Sequence, residues 1–541
     1  MRRMIRGETR LTPQGNLDSH HSRWQPPISF ILFSTDHNME KPDWEQTTGP
    51  EDGLLPLLST VLLTGALVLS TLFTIFLITL PAQFDHLHPG GLSEDDFTEE
   101  DKKDLERSGY ALFRQRKHDR GTLTTECSVQ IVVLGDIGRS PRMQYHALSI
   151  ASLGGKVNIV GYAESDVHPN IAVSRFITVT PIRPFPRSLQ TQNKLLFLLI
   201  APLKILWQTW FLYHALGYRS PPTRWMIVQN PPSIPTLMVA QFYCFVRNTR
   251  LIIDWHNFGY SILALRLGAG HPVVRIAQWL EGFFACRAEA HFAVTDAMTR
   301  VLEEKWGIEA KALHDRPPKH FQPLSKEQRS ALLHRLPETT QYATDIEKRT
   351  WRLVVSSTSW TADEDFSILL DALVAYSASV QNNPSLPKIL AIITGKGPQK
   401  AHYLSRIHDL NQTNKLSNVI ITTAWLSAED YALLLGAADL GVSLHTSSSG
   451  VDLPMKVVDM FGTGLPVAGW SRFEAWPELV REGVNGRGFE SAEGLAQVLE
   501  DLFRGEGREL QGLREGALRE CERRWEDEWV PVAGRVLKLE R

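Results

Sequence analysis

From Val129 onward, short apolar runs rich in β-branched residues alternate with segments of helical periodicity. The strand-like runs are VQIVVLG, KVNIVGY, RWMIVQN and RLIIDWHN in the first half, and RLVVSSTSW, KILAIITGKG, NVIITTAW and LGVSLHT in the second. Such alternation indicates βαβ units and parallel sheets. The sequence therefore predicts an α/β fold with two Rossmann-like domains, at 127–322 and 351–505. A polar linker at 323–350 separates them, and a helical segment at 506–541 follows.

One long apolar segment precedes these domains. Residues 54–80 contain no Asp, Glu, Lys, Arg or His. Because a membrane-spanning helix needs about 20 apolar residues, this segment predicts a single transmembrane anchor. We expect a disordered extension at 1–53 before it and a charged linker at 81–126 after it. Residues 194–218 are also apolar but contain two lysines and a proline, so they fit either a helix in the membrane interface or a buried core helix.

Charge and cysteine content exclude several classes of protein. The chain has 57 Lys and Arg against 60 Asp and Glu, a formal charge of -3, so bulk charge gives no basis for nucleic-acid binding. Its four cysteines include no Cys-x-x-Cys pair, which argues against a zinc site and a disulfide framework. Reduced thiols in a cytosolic environment are the simplest expectation.

Two motifs in the first half lie where a parallel sheet places ligands, at the carboxyl ends of strands. In GDIGRSPRMQYHA, Gly135 and Gly138 allow close backbone approach, and Arg139 beside a helix start favours an anionic ligand. A simple strand-to-helix turn is the alternative. In DWHNFGYS, His256 follows a strand, so we interpret it either as a general base or as a structural histidine.

The second half carries acidic and basic candidates at equivalent positions. In STSWTADEDF, Asp363 and Glu364 are either reactive carboxylates or solvated acids at a helix start. In ITGKGP, Lys396 is either a diphosphate ligand or an exposed lysine in a turn. SSSGVDLPMKVVDMFGTGLPV combines a small-residue loop with a helix start, which together suit an anion. Its candidate ligands are Ser449, Gly450, Asp452, Lys456 and Asp459, and a solvated ion pair is the alternative for the last two.

Taken together, these motifs resemble a known family. GKGP, MFGTGLPV and ELVREGVNGRGF resemble the nucleotide-sugar domain of GT-B glycosyltransferases, whose two Rossmann-like domains face a cleft. GDIGRSPRMQYHA, DWHNFGYS, SSTSWTADEDF and LHTSSSGVDLPMKVVDMFG are similar to motifs of the dolichol-pathway β-1,4-mannosyltransferases, which add the first mannose to a lipid-linked chitobiose. With the apolar anchor, the resemblance covers roughly residues 54–536.

The resemblance implies an inverting enzyme that transfers mannose from GDP-mannose to GlcNAc2-diphosphodolichol for N-glycosylation. It implies a single-pass protein of the endoplasmic reticulum membrane with a cytosolic catalytic domain, and other dolichol-pathway mannosyltransferases as partners. We expect no metal site and no tightly bound cofactor, and any divalent-ion stimulation would act through the substrate. A retaining GT-B transferase acting on another lipid, or a non-catalytic scaffold of the same pathway, are the alternatives.

The resemblance also assigns roles to the candidate residues. Asp459 falls where related enzymes hold the nucleotide ribose, and Lys456 would neutralise the donor diphosphate. The first acidic position of the related pattern is Val451 in this chain, with Asp452 one residue away. His256 is the first candidate for the base, followed by Asp363 and Glu364. The remaining roles are donor binding for Lys396, Ser449 and Gly450, and acceptor-diphosphate binding for Gly135, Gly138 and Arg139.

Overall fold

The computed structural model describes residues 54–79, 127–189, 194–361 and 364–539. The predicted disordered extension at 1–53, the charged linker at 81–126 and the candidate base Asp363 therefore lie outside the described residues. Helix α1 is Leu54–Thr79, and its residues up to Leu77 belong to a compact unit separate from the two sheets. Counted over the described residues, no helix is both long enough and apolar enough to cross a membrane. The predicted transmembrane anchor stays a prediction.

The first domain is built on a seven-stranded parallel sheet in the order β3-β2-β1-β4-β5-β6-β7. Its central strands are buried on both faces, as expected where helices cover both sides of a parallel sheet. The strands are β1 Ser128–Asp136, β2 Lys156–Tyr162, β3 Ile177–Pro181, β4 Trp225–Asn230, β5 Arg250–Trp255, β6 Ala290–Ala293 and β7 Lys311–Ala312.

Among the described residues, seven α-helices connect these strands, and five of them expose large apolar side chains. In the helix Lys194–His214, Leu199, Leu206 and Trp210 are exposed, whereas Leu212 near its end is buried. The predicted apolar segment 194–218 therefore has an exposed face and a buried end. The helices are α2 Pro141–Ser152, α3 Pro169–Val173, α4 Lys194–His214, α5 Thr236–Arg247, α6 Gly259–Leu267, α7 Pro272–Ala285 and α8 Asp296–Trp306.

The second domain has a six-stranded parallel sheet in the order β10-β9-β8-β11-β12-β13. This second sheet, with the first, confirms the predicted pair of Rossmann-like domains. The strands are β8 Trp351–Ser357, β9 Lys388–Thr394, β10 Val419–Ala424, β11 Leu440–Ser443, β12 Val467–Trp470 and β13 Gly486–Phe489. The helices before, between and after them are α9 Lys326–Arg335, α10 Ala343–Glu347, α11 Phe366–Asn382, α12 Lys400–Gln412, α13 Ala428–Ala437, α14 Met455–Gly462, α15 Trp476–Leu479 and α16 Ala492–Phe503.

The C-terminal segment packs on both domains in turn. Cys521, at the end of α17, directs its thiol at the carbonyl of Gly462 in the second domain, with an S···O distance of 3.1 Å. Trp525 then donates to the hydroxyl of Ser149 in the first domain, with an N···O distance of 2.9 Å. The C-terminal segment thus returns from the second domain to the first. Its helices are α17 Arg508–Cys521, α18 Trp525–Trp529 and α19 Arg535–Leu537.

In each sheet the strand order reverses direction at one point, between β1 and β4 and between β8 and β11. Loops at such a point diverge, which leaves a crevice beyond the carboxyl ends of the strands. Beyond these strand ends, contacts between the loop after β5 and the loop after β11 join the two domains. The candidate residues from both halves of the sequence lie on these loops.

Candidate active site between the two domains

The loop after β1 is fixed by close backbone packing. A Cβ on Gly138 would lie 2.5 Å from the carbonyl oxygen of Asp166, so this position admits only glycine without a shift of the chain. Gly135 lies where the register between β1 and β2 shifts. The Arg139 side chain is 80% exposed and lies 3.4 Å from the carboxylate of Asp136. The structure thus leaves the Arg139 guanidinium accessible at the predicted acceptor side.

Behind this loop, the buried carboxylate of Asp254 is the centre of a hydrogen-bond network. The Arg142 guanidinium donates to both of its oxygens, each over 2.8 Å. Arg142 donates a further 2.8 Å hydrogen bond to Asp315. Burial alone would raise the pKa of Asp254, but Arg142 and the adjacent imidazoles outweigh it and hold the pKa well below its usual range. Asp254 is therefore an ionised carboxylate.

His256 is the accessible member of this network. Its Nε2 lies 2.9 Å from Oδ2 of Asp254, and its side chain is 24% exposed, whereas Asp254 is fully buried. Since an ionised carboxylate only accepts, Nε2 carries the ring proton. Nδ1 of neutral His256 is then the free basic nitrogen, and no partner for it is found among the described residues. This is the hydrogen-bonded arrangement expected of a general base.

The neighbouring residue, Asn257, contacts the second domain. Its amide donates to the hydroxyl of Ser448 and to Oδ2 of Asp452, both over 3.1 Å. Nε2 of His445 lies 3.4 Å from the same Asp452 oxygen, whereas Oδ1 of Asp452 is buried without a partner among the described residues. The contact places the His256 loop directly beside the predicted donor loop.

The donor loop itself is held by its own serines. The amide of Gly450 donates to the hydroxyl of Ser447 over 2.7 Å, and Ser449 lies beside Ser447 with their hydroxyl oxygens 3.5 Å apart. Gly450 has a φ of 80°, a left-handed conformation that glycine adopts without strain. The loop leads into α14, whose first turn carries Lys456.

Lys456 and Glu364 join the loops that follow the two central strands of the second sheet. The Lys456 ammonium contacts Oε1 of Glu364, and Oε2 of Glu364 accepts from Thr358 and from both the amide and hydroxyl of Ser359. Burial would raise the pKa of Glu364, but Lys456 and these hydrogen bonds outweigh it, so the pKa is lowered. A carboxylate so fully engaged is suited to positioning Lys456 rather than to accepting a proton.

Asp459 lies one turn further along α14 in a different environment. No hydrogen-bond partner for its carboxylate is found among the described residues. Burial, together with the charge of Asp315, raises its pKa to about 7. Tyr145 and Tyr431 also lie within electrostatic range of it. Asp459 therefore has unused hydrogen-bonding capacity, as a residue that binds a ribose diol would need.

Lys396 stands apart from the Lys456 cluster. Its ammonium lies 3.8 Å from the ring centroid of Trp425, a residue at the end of β10 that is 64% exposed. The flanking glycines are required by packing, since a Cβ on Gly395 or Gly397 would lie 1.8 Å from a carbonyl oxygen of the 358–359 loop. The loop backbone is thus closely packed against the 358–359 loop, while the Lys396 side chain itself is at the surface.

One group of potential metal ligands is found among the described residues, formed by Asp296, His314 and Glu478. Both oxygens of Glu478 already accept backbone N–H groups, those of Asp296 and Ala297, over 2.6 Å each. These amides open α8, and the positive end of a helix disfavours a cation. Glu478 therefore serves as a helix cap that joins the two domains.

Several residues of the network around Asp254 are not among the residues predicted from the sequence. Arg142 and His146 lie four positions apart in the GRSPRMQYHA motif, and this spacing, which places them on one helix face, could have identified them. Asp315 and Trp529 carry no such signal, because they reach the network from the loop after β7 and from the C-terminal segment.

Comparison with known proteins agrees with this architecture. No protein-family profile matches the chain. The chain is 52% identical over 417 residues to the chitobiosyldiphosphodolichol beta-mannosyltransferase of Arthroderma benhamiae, covering 76% of this chain and 91% of the relative. It is 42% identical over 414 residues to the protein of the same name from Yarrowia lipolytica, covering 76% and 86%.

Among solved structures, Anabaena HepE in complex with UDP-glucose aligns with a TM-score of 0.53 at 15% identity, covering 76% of this chain and 99% of that chain. At this identity the likeness concerns the fold alone, and it agrees with two parallel-sheet domains of the GT-B type. The extent and identity of the sequence matches decide the family. The chain belongs to the chitobiosyldiphosphodolichol beta-mannosyltransferases, and is a GT-B glycosyltransferase of the dolichol pathway.

Proposed function

We propose that this protein transfers mannose from GDP-mannose to GlcNAc2-diphosphodolichol, with inversion, to form a β-1,4 linkage. The observation that carries the proposal is the Asn257–Asp452 contact, which brings accessible His256 beside the loop leading to Lys456 and Asp459. A base from one domain and a diphosphate-binding helix start from the other are the two elements that an inverting transfer requires.

The proposed step is a single displacement. The acceptor hydroxyl oxygen attacks C1 of mannose on the side opposite the diphosphate and forms the new C1–O bond. The bond from C1 to the diphosphate oxygen breaks, and its electron pair leaves with GDP. The hydroxyl proton passes to Nδ1 of His256, and the ionised Asp254 stabilises the resulting imidazolium through Nε2–H.

The donor is held by the second domain. The growing charge of the departing diphosphate meets Lys456, which Glu364 holds near the start of α14. Lys396 joins it by leaving the face of Trp425, and Asp459 binds the ribose. Ser449, Gly450 and Asp452 line the donor loop. We propose no tightly bound cofactor, and divalent ions would act by pairing with the donor diphosphate.

We also propose that the protein acts at the endoplasmic reticulum membrane with its catalytic domain in the cytosol. Neighbouring helices α4, α5 and α7 expose large apolar side chains on the first domain, among them Trp210, Phe245 and Trp279. All four cysteines are free, as a reducing compartment allows. The charge-free α1 is the proposed anchor. The apolar face is checked with the full chain in vesicles, where Trp279→Glu should lower kcat/KM for the lipid-linked acceptor while α1 keeps the protein on the membrane.

The test of the activity uses the full chain in detergent with GDP-mannose and a chitobiosyl-diphosphate lipid. We expect a monomannosylated lipid whose new sugar is released by a β-mannosidase. His256→Ala should lower kcat by about a hundredfold, the lower end of the range for loss of an acid–base group, while GDP-mannose binding stays near wild type.

The matched control is His271→Ala, which removes a histidine that caps α7 at the surface of the same domain. It should leave kcat nearly unchanged. An α-linked product would identify a retaining enzyme, and no product with any nucleotide sugar would favour a scaffold; either result contradicts the proposal. An unchanged kcat in folded His256→Ala would remove the base assignment alone.

A further inference from the structure

Trp529, in the C-terminal segment, is hydrogen-bonded to the network around Asp254. This residue is fully buried, and its indole Nε1 lies 2.8 Å from Nδ1 of His146. Because an indole N–H only donates, Nδ1 of His146 is the acceptor and Nε2 carries the ring proton. That proton points at Oδ2 of Asp254, 3.2 Å from Nε2, the same oxygen that accepts from His256.

This geometry excludes a second proton from His146. A proton on Nδ1 would face the indole N–H of Trp529 with no acceptor between them. Burial also lowers the pKa of His146, while its hydrogen bond to Asp254 opposes that shift. The ionisable groups near the His146 ring are Asp254, Arg142 and His256, and Arg142 is in turn paired with Asp315. The aromatic neighbours of the ring are Phe292, Trp525 and Trp529.

We propose that Trp529 is a positioning residue for mannosyl transfer, because it keeps His146 neutral and so reserves the charge of Asp254 for His256. The inference rests on the proposed function, in which His256 takes the acceptor proton. A protonated His146 would offset the charge of Asp254 and destabilise the His256 imidazolium. His256 would then be a weaker base, and the transfer would slow.

The pH dependence of kcat in the full chain tests this role. With wild type, the acid limb of kcat should fall with a slope of one proton. Trp529→Phe keeps an aromatic ring but removes the N–H donor, so His146 can take a proton. We expect kcat near wild type at about pH 8 and an additional loss of up to about fourfold at about pH 6, where only about a quarter of histidines with an ordinary pKa of about 6.5 stay neutral. KM for GDP-mannose should stay nearly constant.

Two controls separate this effect from a loss of packing. Trp525 stacks edge-on against the same His146 ring, with centroids 5.4 Å apart, but donates to Ser149 instead. Trp525→Phe should therefore show no additional loss at low pH. Adding His146→Gln to Trp529→Phe replaces the titrating ring with an amide that can still donate to Asp254, and should remove the pH-dependent part of the loss.

Three results would overturn the inference. They are an equal loss of kcat at both pH values in Trp529→Phe, the same pH-dependent loss in Trp525→Phe, and its persistence in the double variant. If Trp529→Phe does not fold, the pH profile of kcat in the wild type is the test. A second proton in its acid limb would mean that His146 takes a proton despite Trp529. A wild-type chain that forms no product would instead contradict the proposed function.

Discussion

The carboxyl edges of the two sheets carry the two halves of the candidate active site, and their polar side chains differ in how fully they are paired. At the edge of the first sheet, Asp254 is held by Arg142, His146 and His256 through hydrogen bonds of 2.8 to 3.2 Å, in a layer that is almost wholly buried. At the edge of the second sheet, Lys396 lies against an exposed tryptophan, and Asp459 has no hydrogen-bond partner among the described residues.

The roles proposed for the two edges account for this difference. A base must have a fixed tautomer before the acceptor arrives, and a buried, fully paired network supplies this in the free protein. A donor diphosphate brings its own charge, so the groups that bind it can pair with neighbours until it arrives. The first edge should therefore contribute to folding stability, and the second edge to ligand binding.

The largest expected effect is that of Arg142→Met on the first edge. It leaves the buried carboxylates of Asp254 and Asp315 without their cation, and breaking a buried pair in this way costs about 3–5 kcal/mol. We expect Tm to fall by about 10 °C in thermal melts of the free protein. Arg139→Ala is the control, because Arg139 is exposed and should change Tm little. Equal stabilities of the two variants would break the contrast between the edges.

An intermediate effect is expected from Lys396→Met on the second edge. The exposed side chain contributes little to folding, so Tm should stay close to wild type. Loss of a diphosphate contact should lower kcat/KM for GDP-mannose by about tenfold, or about 1.4 kcal/mol. Lys400→Met, at the start of α12, is the matched control and should keep kcat/KM. An unchanged kcat/KM in Lys396→Met would separate Lys396 from the donor site.

The smallest effect concerns the pH dependence of stability at Asp459. Its folded pKa of about 7 exceeds its ordinary value of 3.8, so the folded state holds a proton in this range that the unfolded state has released. The carboxyl therefore favours folding at low pH. This contribution to the free energy of unfolding is lost as pH rises from 3.8 to about 7.

Asp459→Asn cannot ionise, so its Tm relative to wild type should increase by a few degrees between about pH 5 and pH 8. Melts of the free protein across this range measure the difference. Asp409→Asn, on the exposed face of α12, is the control for a lost surface charge. A difference in Tm that does not vary with pH would mean that Asp459 is already ionised at low pH.

The sequence places the candidate residues on the right elements but does not reveal their contacts. It predicts His256 after a strand end and Lys456 at a helix start, because strand and helix signals are local. Its spacing puts Lys456 and Asp459 on one helix face as a possible pair. In the structure Lys456 instead contacts Glu364, 92 residues away in sequence, and Asp459 lies near Asp315. Local spacing cannot reveal partners that come from another loop.

The amino-acid sequence by itself determined the order of strands and helices, the two parallel sheets and the motifs at their carboxyl ends, because hydrophobic periodicity and turn chemistry act over a few residues. Only the tertiary structure decided which nitrogen of His256 is free, since that depends on Asp254 and on the charges around it. Arg142 meets Asp254 across 112 residues and Trp529 meets His146 across 383. Protonation states follow from such long-range neighbours and from burial, which exist only after the domains and the C-terminal segment have packed together.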